Sequence, residues 1–255
     1  MKDILHHTSY GAGFPVIVLH GLFGSQRNWS PIAKTLAGNY RAITLDARNH
    51  GDSFWADSMS YPEMAEDVAE WMLAAGIAKA HLIGHSMGGK TAMTLALSYP
   101  HLVEKLVVID IAPVDYRGIF SEVLPAMERL PLDRIRTRAE ADRLLSPAIV
   151  DGNLRMFLTG TLVRQNGTYR WRFNLNGIKN SMATIGQFPN FRSDSFASPT
   201  LFLKGEHSDY ISPRHFPHMY RFFPNAVIKI VPKSGHIPHF ENPVGCRDLL
   251  QAFLG

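Results

Sequence analysis

The chain has 255 residues, enough for one enzyme-sized domain with a substantial hydrophobic core. With 45% hydrophobic and 19% charged residues it is neither disordered nor collagen-like, and no run approaches the ~20 apolar residues of a membrane span. The net charge is +4 and Cys246 is the single cysteine, so we expect no internal disulfide, no cysteine-based metal site and a cytoplasmic location.

Short apolar runs bounded by turn residues alternate with helical patterns along much of the chain. This alternation indicates βαβ units and a mostly parallel sheet flanked by helices. Most of the runs are continuously apolar, which is typical of strands covered on both faces. The predicted strands are residues 5–10, 16–19, 42–45, 81–83, 106–109, 200–203 and 228–231.

The helical patterns fill the intervals between these strands. The clearest helix begins after Ser60, where Ser60 and Glu63 have the spacing of a capping box, and it ends at Gly76. The other predicted helices of the sheet layers are residues 31–37, 88–98, 216–222 and 243–254.

The alternation stops between Val114 and Asn190. Helical patterns at 120–129, 139–145 and 151–162 replace it, and residues 169–173 alternate like a short exposed strand. We therefore predict a core formed by residues 1–114 and 194–255, with a helical cap inserted at 115–193. Such a cap would lie over the edge of the sheet at which α/β proteins bind ligands.

The excess positive charge lies in this middle segment. Residues 115–193 contain 12 basic and 7 acidic side chains, whereas the rest of the chain contains 14 basic and 15 acidic ones. A solvated surface is the simpler interpretation, and attraction of an anionic part of a substrate is the alternative. We expect no nucleic-acid partner, because the arginines are dispersed and form no basic run.

Residues 84–89, Gly-His-Ser-Met-Gly-Gly, follow the predicted strand 81–83 and open a helical pattern. A nucleophile elbow turns so tightly from strand to helix that small residues must flank its serine, and Gly84 and Gly88 meet this requirement. We therefore predict Ser86 as a nucleophile at a helix N-terminus, where the helix dipole stabilises developing negative charge.

Acyl transfer also requires two N–H groups that bind the developing oxyanion. The backbone N–H of Met87, directly after the nucleophile, is one expected donor. The other is the N–H of Leu22, in the loop His20-Gly21-Leu22-Phe23-Gly24 after the strand 16–19. We interpret His20 as a residue that orients this loop.

Position along the chain selects the general base among 12 histidines. His236 lies between the last strand and the last helix, where the order nucleophile, acid, histidine places the base. His239 is the fallback. We interpret His85, beside Ser86, as a packing residue.

Two aspartates compete for the role of the acid that orients the base. Asp110 ends the strand 106–109, and Asp209 follows the strand 200–203 but lies one residue later than the usual Gly-x-x-Asp spacing. An apolar run delivers Asp110 to a strand end, where a carboxylate is costly unless it is paired, so we favour Asp110. Asp209 is the alternative acid, followed by Glu206, and we expect the Ser208 hydroxyl to hydrogen-bond the His236 ring.

Together these motifs resemble the α/β-hydrolase fold, and more narrowly the YbfF-type bacterial esterases. The resemblance rests on residues 20–25, 46–53 (Asp-Ala-Arg-Asn-His-Gly-Asp-Ser), 84–90 and 109–114 (Ile-Asp-Ile-Ala-Pro-Val). It implies Ser86, Asp110 and His236 as nucleophile, acid and base, and Ser208 as a serine that assists the triad. Family members often have an aromatic residue directly after the base, where this chain has Ile237.

The resemblance further implies hydrolysis of short- to medium-chain acyl esters and of acyl-CoA thioesters. The expected protein is a serine carboxylesterase or thioesterase that acts through an acyl-enzyme on a small-molecule substrate, without a cofactor or metal. A carbon–carbon bond hydrolase or lyase with the same triad is the first alternative. A ligand-binding receptor on this scaffold is the second.

Overall fold

A computed structural model describes residues 4–116, 118, 120–192 and 194–255. Residues 1–3, at the start of the predicted core, and Ser193, the last residue of the predicted cap, lie outside the described residues. Where described, the chain contains no helix that is long and apolar enough to cross a membrane.

A seven-stranded sheet forms the centre of the molecule, in the order β1-β3-β2-β4-β5-β8-β9. β1 is antiparallel to β3 at one edge, and all other neighbouring strands are parallel, so the predicted mostly parallel sheet is confirmed. The strands are β1 His7–Tyr10, β2 Pro15–Leu19, β3 Arg41–Leu45, β4 Ala80–His85, β5 Val103–Ile109, β8 Thr200–Gly205 and β9 Ala226–Val231.

Helices cover both faces of the sheet. The first face packs against α2, α3 and α8, and the second packs against α1 and α10. The central strand β4 is buried along its whole length, and the neighbouring β2 is buried from Val16 to Leu19, which explains the continuously apolar sequence of β2. These helices are α1 Ser30–Leu36, α2 Tyr61–Ala74, α3 Met87–Ser98, α8 Phe216–Phe222 and α10 Pro243–Leu254, with a short α9 Pro238–Glu241. α2 begins with the predicted capping box between Ser60 and Glu63.

Four helices and a β-hairpin lie between β5 and β8. They are α4 Val123–Glu128, α5 Arg138–Leu145, α6 Gly152–Gly160, β6 Leu162–Gln165, β7 Thr168–Trp171 and α7 Leu175–Gly186. The prediction of one helix over residues 151–162 was wrong at its end, because Leu162 begins β6 and pairs with Trp171. Asn166 and Gly167, both at positive φ, form the hairpin turn that fixes this pairing.

The inserted elements share one apolar cluster with the loop after β2 and with the start of α3. Leu22, Phe23 and Met87 contribute to this cluster from the sheet side, and α4–α7 contribute residues such as Met127 and Ile178. The insertion therefore lies over the carboxyl ends of the strands. The division of the chain at residues 114 and 194 into core and cap stays a prediction.

Candidate active site

Ser86 lies on the tight turn between β4 and α3. Its backbone has φ 50° and ψ −115°, a strained conformation for a residue other than glycine. A Cβ atom on Gly84 would overlap the carbonyl oxygen of Gly88, and one on Gly88 would overlap that of Leu19. Both glycines are thus required by the close approach of backbone segments, and the turn presents Ser86 at the N-terminus of α3.

His236 connects Ser86 to Asp110. Its Nε2 atom lies 3.0 Å from the Ser86 hydroxyl oxygen, and its Nδ1 atom lies 2.8 Å from an Asp110 carboxylate oxygen. The three side chains come from the ends of β4 and β5 and from the loop after β9. Since the carboxyl ends of parallel strands lie at one edge of the sheet, residues up to 150 positions apart in sequence meet there.

Asp110 is fully buried, and its carboxylate is supplied with donors. Gly205 N–H donates to Oδ1 at 3.0 Å, and the Ser208 hydroxyl donates to Oδ2, which His236 also contacts. Ser208 therefore bonds the acid and not the His236 ring, which differs from our expectation. Asp209 is exposed, and the carboxylate that bonds His236 is that of Asp110.

Among the described residues, the rings of Tyr210 and His85 contact the ring of His236. Tyr210 stacks on its ring with the centroids 3.8 Å apart. His85 Nε2 lies 2.7 Å from the His236 carbonyl oxygen, and burial followed by the neighbouring His236 lowers the pKa of His85 to about 3, so His85 stays neutral and donates this bond. His239 is buried and stacks on Trp29 at 4.1 Å. His236 is the histidine that bonds Ser86.

The loop between β2 and α1 brings a backbone donor next to Ser86. Within the described residues, neither Leu22 N–H nor Met87 N–H has a backbone or side-chain acceptor, and both residues line the same cavity as Ser86. Two N–H groups without acceptors, lining one cavity with a serine hydroxyl, are suited to bind an oxyanion.

His20 and His50 hold this loop from two sides. His20 accepts a hydrogen bond from Ala47 N–H at 3.1 Å, while its Nδ1 lies 2.8 Å from the Gly21 carbonyl oxygen. His50 Nε2 accepts from Phe23 N–H at 3.2 Å. Burial, followed by the proximity of His20, lowers the pKa of His50 to about 3, so His50 remains a neutral acceptor. His50 was not predicted as a site residue, and the only signal for it in the sequence was its place in the segment 46–53.

Two cavities meet at Ser86. One, the Lys90 cavity, has a volume of about 410 Å³ and the other, the His236 cavity, about 430 Å³. Leu22, Ser86, Phe120 and Tyr210 line both cavities. The Lys90 cavity is completed by residues that include Tyr61, Lys90, Asp115, Tyr116, Met182 and Ile185. The His236 cavity is completed by residues that include Phe23, Asp151, Phe157, Asp209, His236 and Glu241, with Ile237 also in its wall.

Lys90 is a buried cation four residues after Ser86, and it was not predicted as a site residue. It is 1% exposed, and burial lowers the pKa of its amine to about 7 although the nearby Asp115 opposes that shift. The helix α7, which supplies Met182 and Ile185 to the cavity, was also missed. The sequence does contain a signal for this helix, since apolar residues recur at helical spacing at Leu175, Ile178, Met182 and Ile185.

A group of possible metal ligands lies outside both cavities, among the residues that the structure describes. One nitrogen of His6 and carboxylate oxygens of Asp46 and Asp52 lie within 4.8 Å of one another. The Asp46 carboxylate already accepts hydrogen bonds from Gln26 N–H at 2.7 Å and Asp52 N–H at 3.0 Å. These bonds give Asp46 a structural role in joining two loops.

Comparisons with known proteins agree with this fold. Residues 15–243 match the family model described as alpha/beta hydrolase fold. The sn-1-specific diacylglycerol lipase ABHD11 of Mus musculus is 40% identical over 95% of this chain and 82% of its own length, and the esterase YbfF of Escherichia coli is 33% identical over 94% and 92%. A solved structure titled "Marine microorganism esterase" has a TM-score of 0.95 at 36% identity and covers 99% of this chain and 100% of its own.

Proposed function

Because the chain belongs to the α/β-hydrolase fold family and is a hydrolase acting on esters, we propose that Ser86, His236 and Asp110 are its catalytic triad. The observation that carries the proposal is the position of His236, within hydrogen-bond distance of both Ser86 and Asp110. The proposed substrates are neutral carboxylic esters with short to medium acyl chains.

In the first half of the reaction, His236 Nε2 takes the hydroxyl proton of Ser86 as the Ser86 oxygen attacks the acyl carbonyl carbon. The N–H groups of Leu22 and Met87 bind the oxyanion of the tetrahedral intermediate. Asp110 holds the His236 tautomer and stabilises its positive charge. The intermediate then collapses, the leaving alcohol takes the proton from His236, and the acyl group remains on Ser86.

In the second half, a water molecule replaces the alcohol. His236 takes one proton from this water as its oxygen attacks the acyl carbonyl, and the second tetrahedral intermediate releases the carboxylic acid while the proton returns to Ser86. Ser208 assists by donating to the Asp110 carboxylate, which keeps that charge in place against His236.

The position of His236 distinguishes the two cavities. The leaving alcohol must receive its proton from His236, and His236 lines only one of the two. We therefore assign the alcohol to the His236 cavity and the acyl chain to the Lys90 cavity, where Met182 and Ile185 supply an apolar wall.

The charges around the His236 cavity favour a neutral alcohol over CoA. Asp151, Asp209 and Glu241 line it, and no lysine or arginine does so among the described residues. Two basic residues of the insertion are already paired with carboxylates, Arg155 with Asp142 and Lys179 with Glu128. Three carboxylates would repel CoA phosphates, whereas they would accept hydrogen bonds from a leaving group with further hydroxyls. The name of the lipase relative, which acts on diacylglycerol, describes a substrate of this neutral kind.

The proposal is tested by initial-rate hydrolysis of p-nitrophenyl esters from acetate to palmitate, with Ser86→Ala as the matched control. We expect rates that depend on chain length and vanish in Ser86→Ala. No hydrolysis at any chain length would contradict the proposal and favour the carbon–carbon hydrolase, lyase or receptor alternatives. Turnover of a diketone far above that of every ester would favour the carbon–carbon hydrolase specifically.

A further inference from the structure

The C-terminal end of α7 is held by core side chains that lie directly beneath it. Lys90 Nζ donates to the carbonyl oxygens of Gly186 and Gln187, at 3.3 Å and 2.8 Å. The Tyr61 hydroxyl donates to the preceding carbonyl, that of Ile185, at 2.8 Å. Tyr116 N–H also donates to Gly186, at 2.7 Å. Three successive carbonyls, those of the last two residues of α7 and of the following Gln187, are therefore bound by groups outside the helix.

The amine of Lys90 suits this position. The last carbonyls of a helix have no partner within the helix, and a side chain that donates hydrogen bonds to them stabilises the helix end. The ammonium nitrogen also lies 5.4 Å and 5.0 Å from the ring centres of Tyr61 and Tyr116, so two aromatic faces contribute to its binding.

The same contact lies between the nucleophile and the wall of the acyl cavity. Lys90 follows Ser86 by one turn of α3, and α7 contributes Met182 and Ile185 to the Lys90 cavity. We propose that Lys90 is a specificity-determining positioning residue, which fixes the end of α7 against the nucleophile helix and thereby limits the length of the acyl chain. This inference rests on the proposed assignment of the acyl chain to the Lys90 cavity.

The test compares Lys90→Met with Lys105→Met. Methionine has a similar length but no donor, so Lys90→Met removes both bonds to α7. Lys105 is a matched control, because its Nζ donates to the carbonyls of Phe253 and Leu254 at the end of α10, at 3.1 Å and 2.6 Å, and it lines neither cavity. The measured quantity is the ratio of kcat/KM for p-nitrophenyl octanoate to that for the acetate.

We expect this ratio to rise about tenfold in Lys90→Met, the effect of relaxing the exclusion of one or two methylenes, mostly through a lower KM for octanoate. The ratio should stay at the wild-type value in Lys105→Met. Hydrogen exchange provides a second measurement that does not depend on activity: amides near the end of α7 should exchange faster in Lys90→Met, and those near the end of α10 in Lys105→Met.

An unchanged ratio with unchanged exchange of α7 in Lys90→Met would overturn the inference. If that variant does not fold, Tyr61→Phe removes the bond to Ile185 but keeps the ring beside Lys90, and it should raise the ratio in the same direction by a smaller factor; no rise would again overturn it. A wild-type protein that hydrolyses no ester would instead overturn the proposed function and with it the limit on acyl-chain length, and the exchange of α7 would then test only whether Lys90 fixes the helix end.

Discussion

The two cavities at Ser86 are of nearly equal size but are built in different ways. Core loops at the carboxyl ends of β2, β8 and β9 form most of the His236 cavity and bring the base and Asp209, and α6 with its N-cap residue adds Phe157 and Asp151 from the insertion. The Lys90 cavity is formed where α7 of the insertion meets α2 and α3, and it combines an apolar wall with one buried cation. We thus assign proton transfer to the alcohol to the His236 cavity and selection of the acyl chain to the Lys90 cavity, and different parts of the fold form these two cavities.

This difference indicates which changes should affect chemistry and which should affect selectivity. Residues at the strand ends act on every substrate alike, because each ester passes through the same transition state at Ser86. Residues of the insertion act on the part of the substrate that does not react, so their effect depends on its length. Four predictions test this division.

The largest expected effect is that of Asp110→Asn. Loss of the carboxylate removes the partner that holds the His236 tautomer, and kcat should fall by about 10⁴-fold for all chain lengths, by analogy with the well-studied serine protease triad. The matched control is Asp209→Asn, which removes an exposed carboxylate and should change kcat little. Steady-state kinetics with butyrate and octanoate esters checks both, and the reverse pattern would assign the acid to Asp209.

The second prediction concerns the loop that carries Leu22. His50→Phe leaves Phe23 N–H without its acceptor, and Phe23 itself has a strained φ of 63°. We expect kcat to fall about tenfold with little change in KM, since the loop would present its donor less accurately to the oxyanion. The control is His81→Phe, a buried histidine outside both cavities. A change in KM alone would contradict this role.

The third prediction uses the pKa of Lys90, which burial lowers from 10.5 to about 7 in the folded protein. Between pH 7 and 10.5 the unfolded chain binds a proton that the folded protein does not, so the free energy of unfolding should rise with pH across this window. Below pH 7 the cost of the buried charge is fully present and constant. The slope due to Lys90 is at most about 1.4 kcal/mol per pH unit.

Urea unfolding at several pH values, with wild type and Lys90→Met compared, measures this contribution. The difference between the two proteins should shift in favour of the wild type as the pH rises from 7 to 10.5. Parallel stability curves would mean that Lys90 keeps an ordinary pKa. No comparable lysine lines the His236 cavity in the described part of the chain, so the effect distinguishes the two regions.

The smallest expected effect is that of salt on KM. If the carboxylates of the His236 cavity repel CoA, added salt screens the repulsion, and KM for an acyl-CoA should fall modestly as salt increases. KM for a neutral ester should stay constant, and Asp209→Asn should weaken the dependence for acyl-CoA. A KM that rises with salt would instead indicate arginines that bind the CoA phosphates, and it would restore the thioester expectation.

The local sequence was sufficient to predict the candidate site residues that lie at or after the ends of strands. Ser86 and Asp110 were identified at the ends of buried strands and His236 in the loop after the last strand, and parallel strands bring such positions together at one edge of the sheet. The local sequence was less informative about contacts between residues that are distant in sequence. The partner of Ser208 depends on the relative placement of two loops, and it is Asp110 and not the expected ring.

In the insertion, the local sequence also predicted the secondary structure only in part. The end of α6 and the hairpin that follows it depend on the turn at Asn166 and Gly167, a local signal that the helical periodicity of residues 151–162 obscured. The helix α7 had its own periodicity, but only packing on Tyr61 and Lys90 makes it a wall of a cavity.

The sequence by itself therefore determined the fold class, the elbow with its glycines, and the places of Ser86, Asp110 and His236, the proposed nucleophile, acid and base, relative to the strands. These features depend on short-range sterics and on the order of the strands, and both are evident from the pattern of residues along the chain. Tertiary structure decided the acceptor for each buried donor, the neutral state of His50 and His85, and the position of Lys90 beneath α7. Burial and hydrogen bonding are properties of residues distant in sequence, and they are fixed only when the insertion packs on the sheet.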